Sequence, residues 1–98
     1  MKPKLPKGIY FTVPSNKKKY TAHLPSGKKV SFGAKGYEHY KDWVPKRLGG
    51  KRWSHKDHMD SKRRKNYRRR HGSIRLKDGR KAVNVKYSPA WFSYWYLW

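Results

Sequence analysis

The fold depends on residues 88–98, which read Ser-Pro-Ala-Trp-Phe-Ser-Tyr-Trp-Tyr-Leu-Trp. Six of the last eight are aromatic and none is charged. Ser88 suits the cap of a helix and Pro89 its first position, so we expect a helix here rather than a strand. Helical spacing then places three rings on one stripe, those of Trp91, Trp95 and Trp98. We expect this helix to form the hydrophobic core; the alternative is that its rings stack on bases or associate with a second copy.

The composition limits the chain to one small domain with a large positive charge. Its 98 residues hold 27 lysines and arginines against five acidic residues, a net charge of +22. This excess opposes a compact state unless a polyanion lies nearby, and nucleic acid is the polyanion that it favours. No run approaches the ~20 apolar residues of a membrane span, so no membrane partner is expected. The absence of cysteine excludes disulfides and thiolate metal sites.

A β-hairpin is predicted over residues 18–33, around the loop Pro25-Ser26-Gly27. A three-residue loop with Gly27 in the left-handed conformation places Ala22 opposite Val30 and Tyr20 opposite Phe32. A two-residue loop would divide these apolar residues between two faces, which a half-buried hairpin forbids. The other face then turns five residues toward solvent or phosphate, namely Lys19, Thr21, His23, Lys29 and Ser31.

Local signals predict the segments on either side of this hairpin. Residues 1–7 form a basic, proline-spaced flexible tail, and residues 8–98 form the domain. The β-prone residues 8–13 predict a short strand. Residues 37–43 predict a short helix that ends before Pro45, and residues 46–53 predict a basic loop.

A basic helix is predicted over residues 57–71, capped by Asp57 or Asp60. Seven positive charges lie within nine residues and repel one another at helical spacing. Met59 and Tyr67 are its apolar residues, so burial alone cannot hold it in place. We therefore expect a helix that is marginal by itself and more stable beside phosphates.

A second hairpin is predicted over residues 73–87, with Asp78 and Gly79 in a two-residue type I′ turn. That register places Ile74 opposite Val83. The predicted fold is a small single α+β domain with two β-hairpins, a basic helix and a C-terminal aromatic helix.

Catalytic and metal sites are not expected. Gly8-Ile9-Tyr10 matches the first half of the GIY-YIG nuclease signature, but the second half is missing. His55 and His58 have a His-x-x-His spacing without a third reliable ligand nearby in the sequence. Five carboxylates in the whole chain leave few for a two-metal nuclease. We expect no cofactor, no metal and no enzymatic activity.

Basic residues occur in every segment, as expected for contact along a polyanion rather than at one import signal. Arginine can pair with phosphate through two hydrogen bonds, whereas lysine acts as a point charge. No helix-turn-helix, zinc finger or aromatic RNP strand indicates sequence readout. The predicted nucleic-acid-binding residues are Lys17, Lys18, Lys19, Lys28, Lys29, Lys51, Arg52, Lys62, Arg63, Arg64, Lys65, Arg68, Arg69 and Arg70.

Three parts of the chain resemble a small family of basic proteins from nucleocytoplasmic large DNA viruses. The first is Pro-Ser-Gly-Lys-Lys-Val-Ser-Phe-Gly-Ala-Lys-Gly-Tyr-Glu-His-Tyr at residues 25–40. The second is an acid followed by an arginine-rich helix, matched here by Asp60, Arg63, Arg64, Lys65, Tyr67, Arg70 and His71. The third is the aromatic segment that ends Leu-Trp, at residues 90–98.

The resemblance covers roughly residues 18–43, 57–71 and 88–98. After His71 the chain departs from the family, whose relatives tend to continue Lys/Arg-Glu-x-Trp where this chain has Asp78-Gly79. The resemblance implies a viral protein packaged with the genome, located in the virion and in the infected cell, at the viral factory or in the nucleus. It implies no established activity.

Charge and resemblance together predict a non-enzymatic protein that binds double-stranded DNA with little regard to sequence and compacts or packages a viral genome. An RNA-binding protein of the ribosomal type is the first alternative, because its composition would be similar. The second is an internal virion scaffold protein that forms homo-oligomers through its aromatic C-terminus.

Overall fold

The computed structural model describes residues 4–98, so Met1, Lys2 and Pro3 of the predicted tail lie outside it. Three strands form one antiparallel sheet in the order β1-β2-β3, with β1 at Tyr10–Thr12, β2 at Tyr20–His23 and β3 at Lys29–Phe32. Two α-helices follow, α1 at Ser61–Gly72 and α2 at Pro89–Tyr96. Short 3-10 turns lie at Lys46–Leu48, Ser54–Lys56 and Ala82–Asn84. The predicted α+β class is confirmed.

The hairpin between β2 and β3 has the predicted register. Ala22 pairs with Val30 and Tyr20 with Phe32. Gly27 has a φ of 92°, and Leu24 N donates to Lys28 O at 2.9 Å, which closes the three-residue loop. The predicted strand within residues 8–13 is β1, which pairs with β2 and forms the second hairpin of the sheet.

Helix α2 lies at the hydrophobic core, as its aromatic residues predicted. Ser88 Oγ accepts from Trp91 N at 3.2 Å, and Pro89 occupies the first turn, so the predicted helix start is confirmed. The Phe92 ring stacks on Phe32 at 5.0 Å and meets Phe11 edge-on at 5.9 Å. These three rings join the sheet to the helix.

The buried face of α2 differs from the predicted stripe. Trp91, Phe92 and Tyr96 are buried, whereas Trp95 and Trp98 are half-buried. The indole Nε1 of Trp95 donates to Val83 O at 3.2 Å, which holds that ring at the edge of the core. Trp95 thus satisfies its N–H at the edge of the core, while Phe92, which has no polar atom, takes the central position.

The predicted helix over residues 37–43 does not form, because its backbone bonds to distant segments. Lys41 N donates to Leu97 O at 3.1 Å and Trp43 N to Tyr96 O at 3.0 Å. His39 forms an isolated bridge with Asp57. These bonds use the donors that a helix would need, and they satisfy carbonyls at the end of α2.

The predicted hairpin over residues 73–87 is reduced to one bridge, between Arg75 and Lys81. Its loop has three residues rather than two, with Gly79 at a φ of 89°. Val83 is buried in a 3-10 turn, while Ile74 is 46% exposed. The predicted opposition of Ile74 and Val83 is therefore wrong.

The basic helix α1 begins where an aspartate cap was predicted. The Asp60 carboxylate accepts from Lys62 N at 3.0 Å and from Arg63 N at 3.2 Å. Ser73 follows the last helical residue. In the described part of the chain, no helix combines the length and apolar character that crossing a bilayer requires.

Candidate nucleic-acid interface

One side of α1 is held against α2 by two arginines a turn apart. Arg64 Nε donates to Trp98 O at 2.7 Å, and its guanidinium lies 4.8 Å from the Tyr40 ring centre. Arg68 donates to Tyr94 O at 3.2 Å and lies 4.0 Å from the ring of the same residue. Each arginine combines a charge-assisted hydrogen bond with a cation–π contact. This explains how a helix with few apolar residues is attached.

Tyr67 completes the attachment between these arginines. Its ring stacks on Trp98 at 4.1 Å with an interplanar angle of 6°, and on His71 at 4.0 Å. Burial raises the pKa of Tyr67 to about 12, so the phenol stays neutral. Trp98 in turn contacts His58 at 5.1 Å. A stack of three rings, with His58 tilted against its end, thus fixes the orientation of α1.

The opposite side of α1 carries exposed cations. At 100° per residue, Lys62, Lys65 and Arg69 lie roughly opposite Arg64 and its neighbours on the attached side. Arg63 and Arg70 lie to one flank; both are exposed, and Arg63 pairs with Glu38 at 3.0 Å. Other carboxylates are too few to neutralise this surface, which makes it the most positive face of the helix.

A cleft of about 560 Å³ lies along one flank of α1, and we name it the Tyr37 cleft. Its walls are the loop 33–39, the side chains of Arg63, Asn66, Tyr67 and Arg70 on α1, and the end of α2. Lys18 faces it from the strand side. Three exposed cations, those of Lys18, Arg63 and Arg70, therefore converge on this cleft. Among the described residues that line it, Glu38 is the one that carries a carboxylate.

A second cleft of about 360 Å³, the Arg75 cleft, lies along the other flank of α1. Arg68, Arg69, Arg75 and Lys81 line it together with Tyr94, and no carboxylate of the described residues does. Helical geometry places its α1 residues about half a turn from those of the Tyr37 cleft. The exposed side of α1 is thus flanked by cations on both sides.

We call this surface the basic band. It brings together Lys18, Lys62, Arg63, Lys65, Arg69 and Arg70 of the predicted set, and it adds two residues that the sequence analysis did not include, Arg75 and Lys81. Local sequence could not indicate that the loop after α1 packs beside it, since that position is set by contacts of Val83 with α2.

Other predicted residues lie away from the band. Lys28 and Lys29 are exposed at the end of the β2–β3 hairpin and line neither cleft. Lys17 and Arg52 are also exposed outside both clefts. Lys51 Nζ donates to the Asp42 carbonyl at 2.6 Å. Arg64 and Arg68 belong to the attachment of α1 and are only partly available to a ligand.

Lys19 is a correction to the predicted set, because it is only 1% exposed. Its amine donates to Tyr37 O at 2.6 Å and to His39 Nδ1 at 2.7 Å. The strand alternation that placed it on the outer face is right, but the loop 33–39 covers that end of the face. Burial, followed by the charge of Lys56, lowers the pKa of Lys19 to about 8.

The amine of Lys19 belongs to a buried polar network that the sequence analysis missed. His39 Nε2 contacts Asp57 Oδ1 at 2.6 Å, so Nε2 carries the proton and Nδ1 accepts from Lys19. Burial lowers the pKa of His39 and keeps it neutral. The Asp42 carboxylate accepts from Tyr20 OH, Val44 N and Trp53 N. These bonds fasten the loop 33–43 to the sheet, a structural role.

The His-x-x-His pair does not form part of a metal centre in the described structure. His58 Nδ1 accepts from Asp60 N at 2.9 Å, next to the cap of α1. The ring of His55 lies 5.5 Å from that of Trp53 at a tilt of 35°, and His55 is exposed. Within residues 4–98, no three side chains of His, Cys, Asp or Glu converge in a way that could hold a metal ion.

Comparison with known proteins gives one family match, to a model described as "Family of unknown function (DUF5754)". It covers residues 12–47, less than half of the chain. The matched segment contains β2, β3 and the loop that carries His39 and Asp42, and it ends before α1. No match was found among the curated proteins or among the solved structures.

Proposed function

We propose that this protein binds double-stranded DNA with little regard to sequence and is not an enzyme. The arrangement of α1 supports this proposal best. Arg64 and Arg68 attach the helix. The other lysines and arginines of α1 remain exposed, and so do Lys18, Arg75 and Lys81 in the flanking clefts. A rigid helix holds these charges in place before the polymer arrives, so little ordering entropy is lost on contact.

The physical basis is neutralisation of phosphate. A chain with a net charge of +22 attracts a polyanion strongly, and each phosphate contact releases a counterion. Phosphate contacts fix the position of a protein on the duplex but carry no direct sequence information. The resemblance to large DNA virus proteins extends the proposal to compaction or packaging of a viral genome.

The proposal is tested by removing four exposed charges of the band, with Lys62, Lys65, Arg69 and Arg70 changed to Ala. Alanine favours the helix and relieves repulsion, so α1 remains folded. The matched control changes Lys17, Lys28, Lys29 and Lys46 to Ala, which removes the same charge from exposed positions outside the clefts. Anisotropy titrations with a closed duplex hairpin give both affinities.

We expect the band variant to lose at least about tenfold more affinity than the control variant. If the wild-type protein neutralises roughly 6–8 phosphates, log K falls with log salt at a slope of about −5 to −7, and the band variant is shallower by about 3–4. Equal losses in the two variants would contradict the assignment to α1. A change of base sequence should alter affinity less than about tenfold.

A further inference from the structure

The Tyr37 cleft contains an aromatic ring without a packing role. Tyr37 is 74% exposed, and among residues 4–98 its ring makes no ring or cation–π contact. Tyr67 and Trp98 also line this cleft, but each ring already contacts two others: Tyr67 stacks on His71 and Trp98, and Trp98 also meets His58 at a tilt of 54°. Tyr37 is therefore the aromatic residue of the cleft whose ring remains available to a ligand.

The backbone of Tyr37 is held firmly although its ring is exposed. Its carbonyl accepts from the buried Lys19 amine at 2.6 Å, and its N–H donates to Ala34 O at 3.2 Å. His39, which is buried and paired with the half-buried Asp57, also accepts from this amine. A ring on an anchored backbone loses little conformational entropy when a flat ligand stacks on it.

The polar groups of the same cleft fit the rest of a nucleotide. Lys18 and Arg70 are exposed cations on opposite walls, and either can pair with a phosphate. Asn66 Oδ1 accepts from Arg69, which leaves the Asn66 amide hydrogens for the edge of a base. A volume of about 560 Å³ lies in the range of pockets that hold small ligands.

We propose that the Tyr37 cleft binds one unpaired nucleotide of a nucleic acid strand, with its base stacked on Tyr37 and its phosphate against Lys18 and Arg70. A base inside a duplex has both faces covered by its neighbours, so only an unpaired base can offer a face to the ring. This inference rests on the proposed function, because the nucleotide belongs to a nucleic acid that the protein already binds. To the duplex contacts of the basic band it adds a contact that only single-stranded segments and ends can make.

The test compares Tyr37→Ala with the control Tyr10→Ala. Tyr10 is 52% exposed on the sheet, where it stacks on His23, and it lines neither cleft. Each variant is titrated with a 12-nucleotide single strand and with a duplex hairpin whose two ends are both closed by non-nucleotide linkers, at the same salt concentration. Thermal melts of both variants should match the wild-type protein, because neither ring is buried.

We expect Tyr37→Ala to weaken single-strand binding by about 5- to 100-fold, the usual range for a lost stacking ring, and hairpin binding by less than about twofold. Tyr37→Trp should restore the single-strand affinity, and Tyr10→Ala should leave both affinities unchanged. Equal effects of Tyr37→Ala on the two ligands, or no effect on either, would overturn the inference.

The two proposals fail in different measurements. The band variant and the closed hairpin decide the proposed function, whereas the ratio of single-strand to hairpin affinity in Tyr37→Ala decides this inference. A titration of the wild-type protein with deoxyadenosine monophosphate tests whether the cleft binds a free nucleotide as well as one within a strand. Binding of the 12-mer at least tenfold tighter than the mononucleotide supports the strand, and equal affinities would overturn it.

Discussion

The protein contains the same tight loop twice, at residues 24–28 and at residues 76–80. Leu24 N donates to Lys28 O at 2.9 Å, and Leu76 N donates to Arg80 O at 2.8 Å. Each loop also contains a glycine with a φ near 90°. Gly27 N donates to Leu24 O, and Gly79 N donates to Leu76 O, both at 2.9 Å. The first loop joins two four-residue strands, whereas the second closes a single bridge.

Burial separates the two regions. Next to the first loop, Ala22 and Val30 are buried in the core. Next to the second, Ile74 is 46% and Leu76 40% exposed. Both loops have the sequence Leu-x-x-Gly with the glycine in the left-handed conformation, so the same loop forms in both places. Extended strands need apolar partners in addition, since an isolated pair of strands is marginal in water.

The largest expected difference concerns the core that the first hairpin helps to build. Phe32 is 1% exposed and stacks on Phe92, so Phe32→Ala should lower the free energy of unfolding by about 3–5 kcal/mol. Leu76→Ala removes a half-exposed side chain and should cost less than about 1 kcal/mol. Urea denaturation of both variants measures the difference. Similar losses would show that the second region shares the core.

The pH dependence of stability should also separate the two regions. Burial lowers the pKa of the Lys19 amine to about 8, whereas the pKa in the unfolded chain is 10.5. Between pH 8 and pH 10.5 the unfolded chain therefore binds more protons than the folded protein. The free energy of unfolding should therefore rise with pH, by about 2 kcal/mol from pH 7 to pH 9.5. Above pH 10 it should fall, because burial raises the pKa of Tyr67 and Tyr96 to about 12.

Two methionine variants test whether Lys19 causes this increase in the free energy of unfolding with pH. Lys19→Met removes the buried amine and should flatten the increase between pH 8 and pH 9.5. Lys81→Met changes an exposed lysine beside the second loop and should leave the increase intact. Urea denaturation at pH 7, 8, 9 and 9.5 measures it. A rise of equal size in Lys19→Met would assign it to another group.

A smaller effect is expected from the two loop glycines. Gly27 and Gly79 have φ values of 92° and 89°, and an added Cβ would meet nothing within 4 Å of either. The cost of Gly27→Ala is then the left-handed backbone alone, about 1 kcal/mol. Gly79→Ala should cost less than about 0.5 kcal/mol, because its bridge can open without exposing the core.

Amide exchange provides the measurement for these loops. The Leu76 amide should exchange much faster than the Leu24 amide in the wild-type protein, since only the latter loop is coupled to the core. Equal protection of the two amides, or equal destabilisation by the two alanines, would show that the loops open together.

The smallest effect on stability, with a clear effect on binding, is expected from the cations beside each loop. Arg75→Ala with Lys81→Ala should change the free energy of unfolding by less than about 0.5 kcal/mol, since both side chains are exposed. DNA affinity should fall about 3- to 10-fold, with a salt slope shallower by about 2. Lys28→Ala with Lys29→Ala removes the same charge beside the first loop and should have a smaller effect.

Local rules were sufficient where neighbouring residues decide the structure. Gly27 set the loop and therefore the register of Tyr20 with Phe32. Asp60 and Ser88 set the beginnings of α1 and α2 through bonds to residues two or three positions away. These parts of the fold could be predicted because their causes lie within a few residues of their effects.

Distant contacts decided the rest. Residues 37–43 are not helical because Lys41 and Trp43 donate to carbonyls at the end of α2. Lys19 is buried by the loop 33–39, about fifteen residues further along the chain. The alternation of residues along the strand therefore predicted on which face of the sheet Lys19 lies, but not how exposed it is. The basic helix α1 was predicted, but which of its arginines attach it and which face solvent depended on where Tyr40, Tyr94 and Trp98 lie.

The division of α1 into attaching and exposed sides has a consequence for how such a protein can change over generations. Arg64, Tyr67 and Arg68 fix the helix through contacts that do not involve Lys62, Lys65 or Arg69. Substitution at the exposed positions can therefore raise or lower the attraction for a polyanion one charge at a time, with little penalty in folding. Under the proposed function, affinity would be adjustable in small steps, while the scaffold that carries the charges remains constant.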